Sequence, residues 1–253
     1  MKLYLLALLV TAGCALDEMD LGEADQDIAT SNKLAANKLA ANKLAANKLA
    51  ANKLASAAFA NSDSGPLINT ADGRDVLTYM ISCALPAGQS ITLTDSTGAA
   101  WSFAGSIGVA PAWSTRALTL DEQRWETGCV LGRVNYFGVK VDLSMRGNNA
   151  ALAITSADAT YTELDGIFYG NLFDSSGPKE YACDGRAGNP TRVCADVSSD
   201  GVTTMCGFTY TGMCTGAGTA SACTGAMTAP TCKTPTPTTT PFTQTVLVYL
   251  QKT

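Results

Sequence analysis

The spacing of apolar residues predicts an amphipathic helix that begins near residue 71. Four core-type residues recur at i, i+3, i+4 and i+7, namely Val76, Tyr79, Met80 and Cys83. Polar side chains between residues 70 and 75 supply capping oxygens at the start of this helix. Pro86 requires the helix to end before it, because proline has no amide hydrogen to donate. A short amphipathic helix is therefore expected.

A second helix is predicted from a capping box, in which Thr119 and Glu122 satisfy each other's backbone amides. Its inward stripe runs through Trp125, Cys129 and Tyr136. Gly138 stands where a left-handed cap would end it. Cys83 and Cys129 then lie on the inward faces of two neighbouring helices, so we expect them to form a disulfide.

Alternation of apolar and polar residues with a period of two predicts strands in the same part of the chain. Residues 90–95 and 100–103 are expected to form a hairpin, and residues 139–146 to form a half-buried strand. Further strands are expected at 150–154, 166–173 and 242–250, with a brief helix over 156–164. In the strand at 166–173, Gly170 indicates a bulge or a close backbone approach.

These elements predict an α+β fold in which two amphipathic helices pack on a small, mainly antiparallel sheet stapled by disulfides. Because a strand is predicted close to the C-terminus, residues 67–253 are expected to form one domain. We expect four segments before it: a signal peptide at 1–13, an acidic disordered tail at 14–31, a repeat at 32–55 and a linker at 56–66.

The motif Asn-Lys-Leu-Ala recurs five times between Asn32 and Ala55 with a period of five residues. On one continuous helix each repeat advances the leucine by about 140° beyond a full turn, so the leucines form no stripe. The repeat is therefore expected to be a disordered or helical tether, roughly 36 Å long if it is fully helical. Its five lysines also allow contact with envelope phosphates.

An apolar run behind Met1 and Lys2 ends in small residues and Cys14. It is shorter than the roughly 20 residues that a membrane-spanning helix needs. The order of residues is that of a secretory signal, and 11–14, Thr-Ala-Gly-Cys, resembles a bacterial lipobox. That resemblance implies a lipid thioether on Cys14 and a membrane anchor, which burial of the acyl chains would hold. Ala15 after the cysteine, rather than aspartate, favours the outer membrane over the inner one by analogy.

Nine cysteines are too many for a reducing compartment, and the number becomes even once Cys14 carries lipid. Four disulfides are expected among the other eight. Besides Cys83 with Cys129, the spacing suggests a hairpin linked through Cys206 and Cys214. Cys223 with Cys232 and Cys183 with Cys194 are further expectations. No metal site is expected, because no pair has the Cys-x-x-Cys spacing of zinc ligands.

The sequence contains no histidine, which excludes Ser-His-Asp catalysis and histidine-based zinc chemistry. A net charge of −5 disfavours nucleic acid as a partner. Asp165 and Asp184, both next to glycines, are weak candidates for a sugar or calcium site. The three tryptophans are expected in the core rather than in a carbohydrate platform. No cofactor and no catalytic residue is predicted.

Several motifs together resemble a family of myxobacterial-type lipoproteins with an Asn-Lys-Leu-Ala repeat. The resemblance covers about residues 32–215. It rests on the repeat, on Asp72-Gly-Arg with Tyr79, on 82–85 (Ser-Cys-Ala-Leu), on 108–113 (Gly-Val-Ala-Pro-Ala-Trp), on Gln123-Arg-Trp with Cys129, on Arg133-Val-Asn, on 168–173 (Phe-Tyr-Gly-Asn-Leu-Phe) and on Cys206-Gly-Phe. It implies export and lipid anchoring, and it implies no catalytic residue.

The sequence thus predicts a lipid-anchored protein of the cell envelope, periplasmic or exposed at the surface, whose head binds another envelope molecule without catalysis. Two alternatives remain open at this point. The first is a structural protein that contacts wall or lipid phosphates through the lysines of the repeat. The second is a carboxylate-dependent hydrolase, which would need two acids within roughly 5 to 9 Å of each other in a cleft.

Overall fold

A computed structural model describes residues 29–32, 34–47, 49, 54, 65–185, 189–215, 221–234 and 241–252. These residues form four helices: α1 (Ala36–Asn47), α2 (Gly65–Asn69), α3 (Ala71–Ala84) and α4 (Leu120–Gly132). They also form the strands β1 (Ala29–Asn32), β2 (Leu34–Ala35), β3 (Ser90–Thr94), β4 (Ala100–Ala104), β5 (Val134–Asn135), β6 (Val141–Arg146), β7 (Tyr161–Asn171), β8 (Lys179–Asp184), β9 (Thr209–Met213), β10 (Cys223–Thr224), β11 (Thr231–Cys232) and β12 (Val246–Gln251).

The largest sheet has six strands in the order β1-β6-β12-β7-β8-β9. All its pairs are antiparallel except β8 with β9. The predicted C-terminal strand is present as β12, and it lies in the middle of the sheet between β6 and β7. Three two-stranded sheets complete the fold, of which β3–β4 is the predicted hairpin. The α+β class is therefore confirmed in outline, with more helices and more sheets than expected.

Helix α4 packs directly on β7 and β12 of the large sheet. The predicted capping box of Thr119 and Glu122 begins the helix. Gly128 allows the close approach, because a Cβ there would lie 2.8 Å from the Val246 side chain and 2.9 Å from the Phe168 carbonyl oxygen. Helix α3, capped by the Thr70 hydroxyl as expected, packs against α4 on one side and α1 on another. Both predicted amphipathic helices thus contribute to the core.

The repeat differs from the expected tether. The leucine side chains at four repeat positions are buried in the same core cluster as α3 and α4, namely Leu34, Leu39, Leu49 and Leu54. The expectation of a segment standing apart from the head is therefore wrong for these positions. The angular rule applies to one continuous helix, but Leu34 lies in β2, Leu39 lies in α1, and Leu49 and Leu54 follow the end of α1. These leucines therefore do not all lie on one continuous helix, and the angular rule does not limit where their side chains point.

The eight expected cysteines lie at bonding distance in four pairs: Cys83–Cys129, Cys183–Cys214, Cys194–Cys206 and Cys223–Cys232. The first and last pairs are confirmed. The expected pairs Cys206 with Cys214 and Cys183 with Cys194 are wrong. The hairpin predicted around residues 206–214 does not form, because β9 runs parallel to β8 and brings Cys214 beside Cys183. Cys14 and the signal peptide lie outside the described residues.

Three local predictions also differ from the structure. Residues 150–152 form a turn of 3-10 helix instead of a strand, where Asn149 accepts a hydrogen bond from the amide of Ala151. The helix expected over 156–164 is a 3-10 turn that ends at Thr160, because β7 begins at the next residue and pairs with β12. Helix α4 ends at Gly132, six residues before Gly138. The close approach predicted at Gly170 is present, since a Cβ there would lie 2.1 Å from the Lys179 carbonyl oxygen.

Candidate functional sites

Arg192 is the centre of a buried polar cluster that sequence reasoning missed. Its Nε donates a hydrogen bond to Asp165 Oδ2 at 2.8 Å, and neither side chain is more than 3% exposed. The other two guanidinium nitrogens donate to the carbonyl oxygens of Val134 at 2.7 Å and Gly132 at 2.8 Å. These two carbonyls lie at and just beyond the end of α4, where helical partners run out. Arg192 therefore caps the end of α4 and ties it to β7.

The structure brings the two predicted carboxylates together. Asp184 ends β8 opposite Gly166, the residue after Asp165. Burial raises the pKa of Asp165, the Arg192 guanidinium opposes that rise, and Asp184 adds to it. Asp196 is a third carboxylate nearby, and burial followed by repulsion from Asp184 and Asp165 raises its pKa. Because Asp165 is sealed from solvent and engaged by Arg192, this geometry fits a structural counter-ion better than a substrate-binding acid.

Glu126 belongs to a second buried cluster, between α3 and α4. Neither of its carboxylate oxygens has a hydrogen-bond partner among the described residues. Burial raises the pKa of Glu126 well above its usual value, with the Arg133 guanidinium acting in the opposite direction. Burial also lowers the pKa of Arg133 to about 10. Burial therefore favours the neutral form of the Glu126 carboxyl group, because an unpartnered buried carboxylate would be costly.

Arg133 is held from three sides in the same cluster. Its guanidinium donates to the Ser82 hydroxyl and lies 4.6 Å from the centre of the Tyr79 ring. Cys83, in the disulfide with Cys129, is within 4.0 Å of the same guanidinium. In the sequence, Glu126 was simply an acidic residue beside the inward stripe of α4, which gave no hint of its burial. Glu126, Arg133 and Ser82 are all buried, so these side chains are not open to a ligand.

The most conspicuous surface feature is a short segment that we call the aromatic turn, residues 136–140 (Tyr-Phe-Gly-Val-Lys). Its apolar side chains are exposed, with Tyr136 at 47%, Phe137 at 52% and Val139 at 43%. The Tyr136 and Phe137 rings meet edge to face, 5.1 Å apart. Sequence reasoning assigned Tyr136 to the inward face of α4 and Val139 to the inward face of a strand. Both assignments are wrong, because the helix ends at Gly132 and β6 begins at Val141.

The three tryptophans support the core assignment and not a sugar-binding platform. Trp113 is fully buried, and Trp101 and Trp125 are partly buried against the same cluster. The Arg74 guanidinium covers one face of Trp101 at 3.9 Å, and the indole nitrogen donates to Asp95.

The part of the chain that the structure describes contains no cluster of three or more histidine, cysteine, aspartate or glutamate residues able to hold a metal. Nor does any helix within it have the length and apolar character needed to cross a membrane. Comparison of the chain with family models, curated proteins and solved structures gave no match.

Proposed function

We propose that this protein is an exported lipoprotein, anchored in a membrane of the cell envelope through lipid on Cys14. The observation that carries the proposal is the set of four cysteine pairs at bonding distance in the described head. Disulfides at this density persist in oxidising compartments. They account for eight of the nine cysteines, and the ninth, Cys14, stands at the end of a signal that resembles a lipobox.

The head is a binding module and not an enzyme in this proposal. The absence of histidine supports this assignment, since the commonest general base is missing. The predicted carboxylate Asp165 is buried against Arg192, so the hydrolase alternative gains no support. The partner of the module is another component of the envelope.

Contact with envelope phosphates through the repeat is not favoured at the position where the side chain is described. Lys38 forms ion pairs with Asp72 at 3.2 Å and Asp75 at 2.5 Å. These carboxylates at the start of α3 raise the pKa of Lys38. The charge of Lys38 is therefore used within the head, next to the buried Leu39.

Mass spectrometry of the mature protein, purified from membranes without reductant, tests the proposal. We expect an N-terminal peptide that starts at Cys14 and carries acyl chains, together with the four disulfide-linked peptide pairs. The matched control is Cys14→Ser, which should lose the lipid and the membrane association but keep the four disulfides. A mature chain that begins elsewhere without lipid, or native thiols that alkylate without reduction, would overturn the proposal.

A further inference from the structure

We infer that the aromatic turn inserts into the bilayer interface and seats the head on the membrane that holds the lipid anchor. This inference rests on the proposed function, because it needs Cys14 to be held at that membrane. The ligand is the lipid surface itself, at the level of the headgroups and the first acyl carbons. Three independent features of the structure support this assignment.

The first feature is the concentration of exposed apolar surface. Seven large hydrophobic side chains are exposed among the described residues, and three of them fall within four consecutive positions, Tyr136, Phe137 and Val139. Single exposed apolar residues are ordinary on protein surfaces, but a contiguous group marks an interaction site. Lys140 follows directly and is also exposed. Tyrosine and lysine are residues that place an apolar body in the interface and a polar end in water.

The second feature is the rigid support beneath the turn. Asn135 is fully buried, and its side-chain amide donates to the carbonyl oxygens of Val139 at 3.0 Å and Thr191 at 3.1 Å. Its side-chain oxygen accepts from the Phe137 amide at 2.9 Å. Gly138 closes the turn with φ +62, a conformation that favours glycine. The backbone of the turn is therefore held in one arrangement, which reduces the backbone entropy lost on binding.

The third feature is the position of the turn beside the N-terminal segment. The turn connects β5 to β6, and these strands pair with β2 and β1, respectively. Asn32 lies opposite Val141, the first residue after the turn, and Ala29 lies opposite Ser144. The chain from the anchor thus joins the fold about 10 Å along the strand from the turn.

The burial of four repeat leucines limits how far the turn can lie from the lipid anchor. With Leu34, Leu39, Leu49 and Leu54 in the core and β1 starting at Ala29, the separation between Cys14 and the fold is set by the residues up to Ala29. Fifteen residues span at most roughly 54 Å when fully extended. An anchor within that distance keeps the bilayer at a high effective concentration near the turn. Even a weakly favourable insertion of the turn is then populated. A protein partner is less well matched, because a stable interface buries roughly 800 Å² on each side, more than three side chains on one turn provide.

Tryptophan fluorescence on vesicles tests the inference in the chain from Cys14 to Thr253. The Cys14 thiol is coupled to a maleimide lipid, so attachment does not depend on processing in cells. The vesicles contain equal parts of phosphatidylcholine and phosphatidylglycerol with brominated acyl chains, which quench tryptophan on contact. Phe137→Trp reports on the turn. Leu120→Trp is the matched control, since Leu120 is equally exposed (53%) and begins α4, at the opposite end of the helix from the turn.

We expect the added fluorescence of Phe137→Trp to shift to the blue and to be quenched by the brominated lipid. For Leu120→Trp, the added fluorescence is what remains after the signal of the three native tryptophans is subtracted. This added fluorescence should be the same on brominated and on non-brominated vesicles. The inference is overturned if the added fluorescence of Phe137→Trp is not quenched on lipid-coupled protein, or if both variants are quenched equally. A blue shift of Phe137→Trp that needs an added envelope protein extract and not lipid would also overturn it, in favour of a protein partner. Failure of acylation in cells contradicts only the proposed function, because the coupled protein bypasses that step.

Discussion

The Arg192 guanidinium and the Asp165 carboxylate form an ion pair with 2.8 Å between Nε and Oδ2, and both side chains are sealed from solvent. The same guanidinium binds the carbonyl oxygens at the end of α4. One side chain therefore connects the helix, β5 and β7. Loss of Arg192 would therefore leave Asp165 as an uncompensated buried charge and would remove the donor to both carbonyl oxygens.

We predict that Arg192→Met lowers the free energy of unfolding by about 3 to 5 kcal/mol, because Asp165 is left buried without a partner. Urea unfolding under oxidising conditions measures the loss. The control is Arg116→Met, which removes the exposed partner of Glu122 and should cost about 1 kcal/mol or less. The double variant Arg192→Met with Asp165→Leu should recover part of the loss. Equal costs for Arg192→Met and Arg116→Met would contradict the buried-pair interpretation.

A second prediction concerns pH and Glu126. Burial raises the pKa of Glu126 in the folded protein above the value near 4.5 of the unfolded chain. Its contribution to stability is therefore fully present below about pH 4.5 and is lost as the pH rises toward the folded-state pKa. The slope reaches at most about 1.4 kcal/mol per pH unit for one group. Glu126→Gln, measured by urea unfolding between about pH 5 and pH 8, should remove this part of the pH dependence.

Asp165 and Asp196 also have raised pKa values, so the stability of both wild type and Glu126→Gln will still decrease in part as the pH rises. The difference between wild type and Glu126→Gln in the pH dependence of the unfolding free energy gives the contribution of Glu126. Parallel stability curves for the two proteins would show that Glu126 ionises normally in the folded state.

The burial of the repeat gives a third prediction. Leu39→Ala should lower the free energy of unfolding by about 2 to 5 kcal/mol, because it opens a cavity in the core shared with α3. Asn37→Ala, two residues earlier on an exposed position of α1, is the control and should change stability by about 0.5 kcal/mol or less. A tether that stands apart from the head would show no loss for either variant. Thermal unfolding followed by near-ultraviolet circular dichroism distinguishes these outcomes.

The fourth prediction concerns disulfide connectivity. In Cys206→Ser, the released thiol should belong to Cys194, because the two sulfurs form one pair. Alkylation after unfolding without reductant, followed by peptide mapping, identifies the free cysteine. Cys232→Ser is the control, and it should release Cys223. A label on Cys214 in the Cys206→Ser protein would instead support the pairing of Cys206 with Cys214 that the sequence suggested.

Local patterns determined several parts of this fold. The polar residues at 70–75 and the spacing from Val76 to Cys83 were enough to predict α3, and the period-two alternation around residues 90–103 was enough to predict the β3–β4 hairpin. The pair Cys83–Cys129 followed from two helical stripes that face each other. In each case the determining contacts lie within a few residues, or the periodicity alone sets the direction of the side chain.

Tertiary structure decided the rest, because the deciding partners are remote in sequence. Helix α4 ends at Gly132, whose carbonyl oxygen accepts a hydrogen bond from Arg192, sixty residues further on, and Tyr136 and Phe137 beyond that end are exposed. The parallel pairing of β8 with β9 selected the partners of Cys183 and Cys214. Five-residue spacing cannot form a stripe on one helix, yet Leu34, Leu39, Leu49 and Leu54 are buried in the core, because they do not all lie on one helix. Residue type and spacing determine local preferences, whereas burial depends on which segments the completed fold brings together.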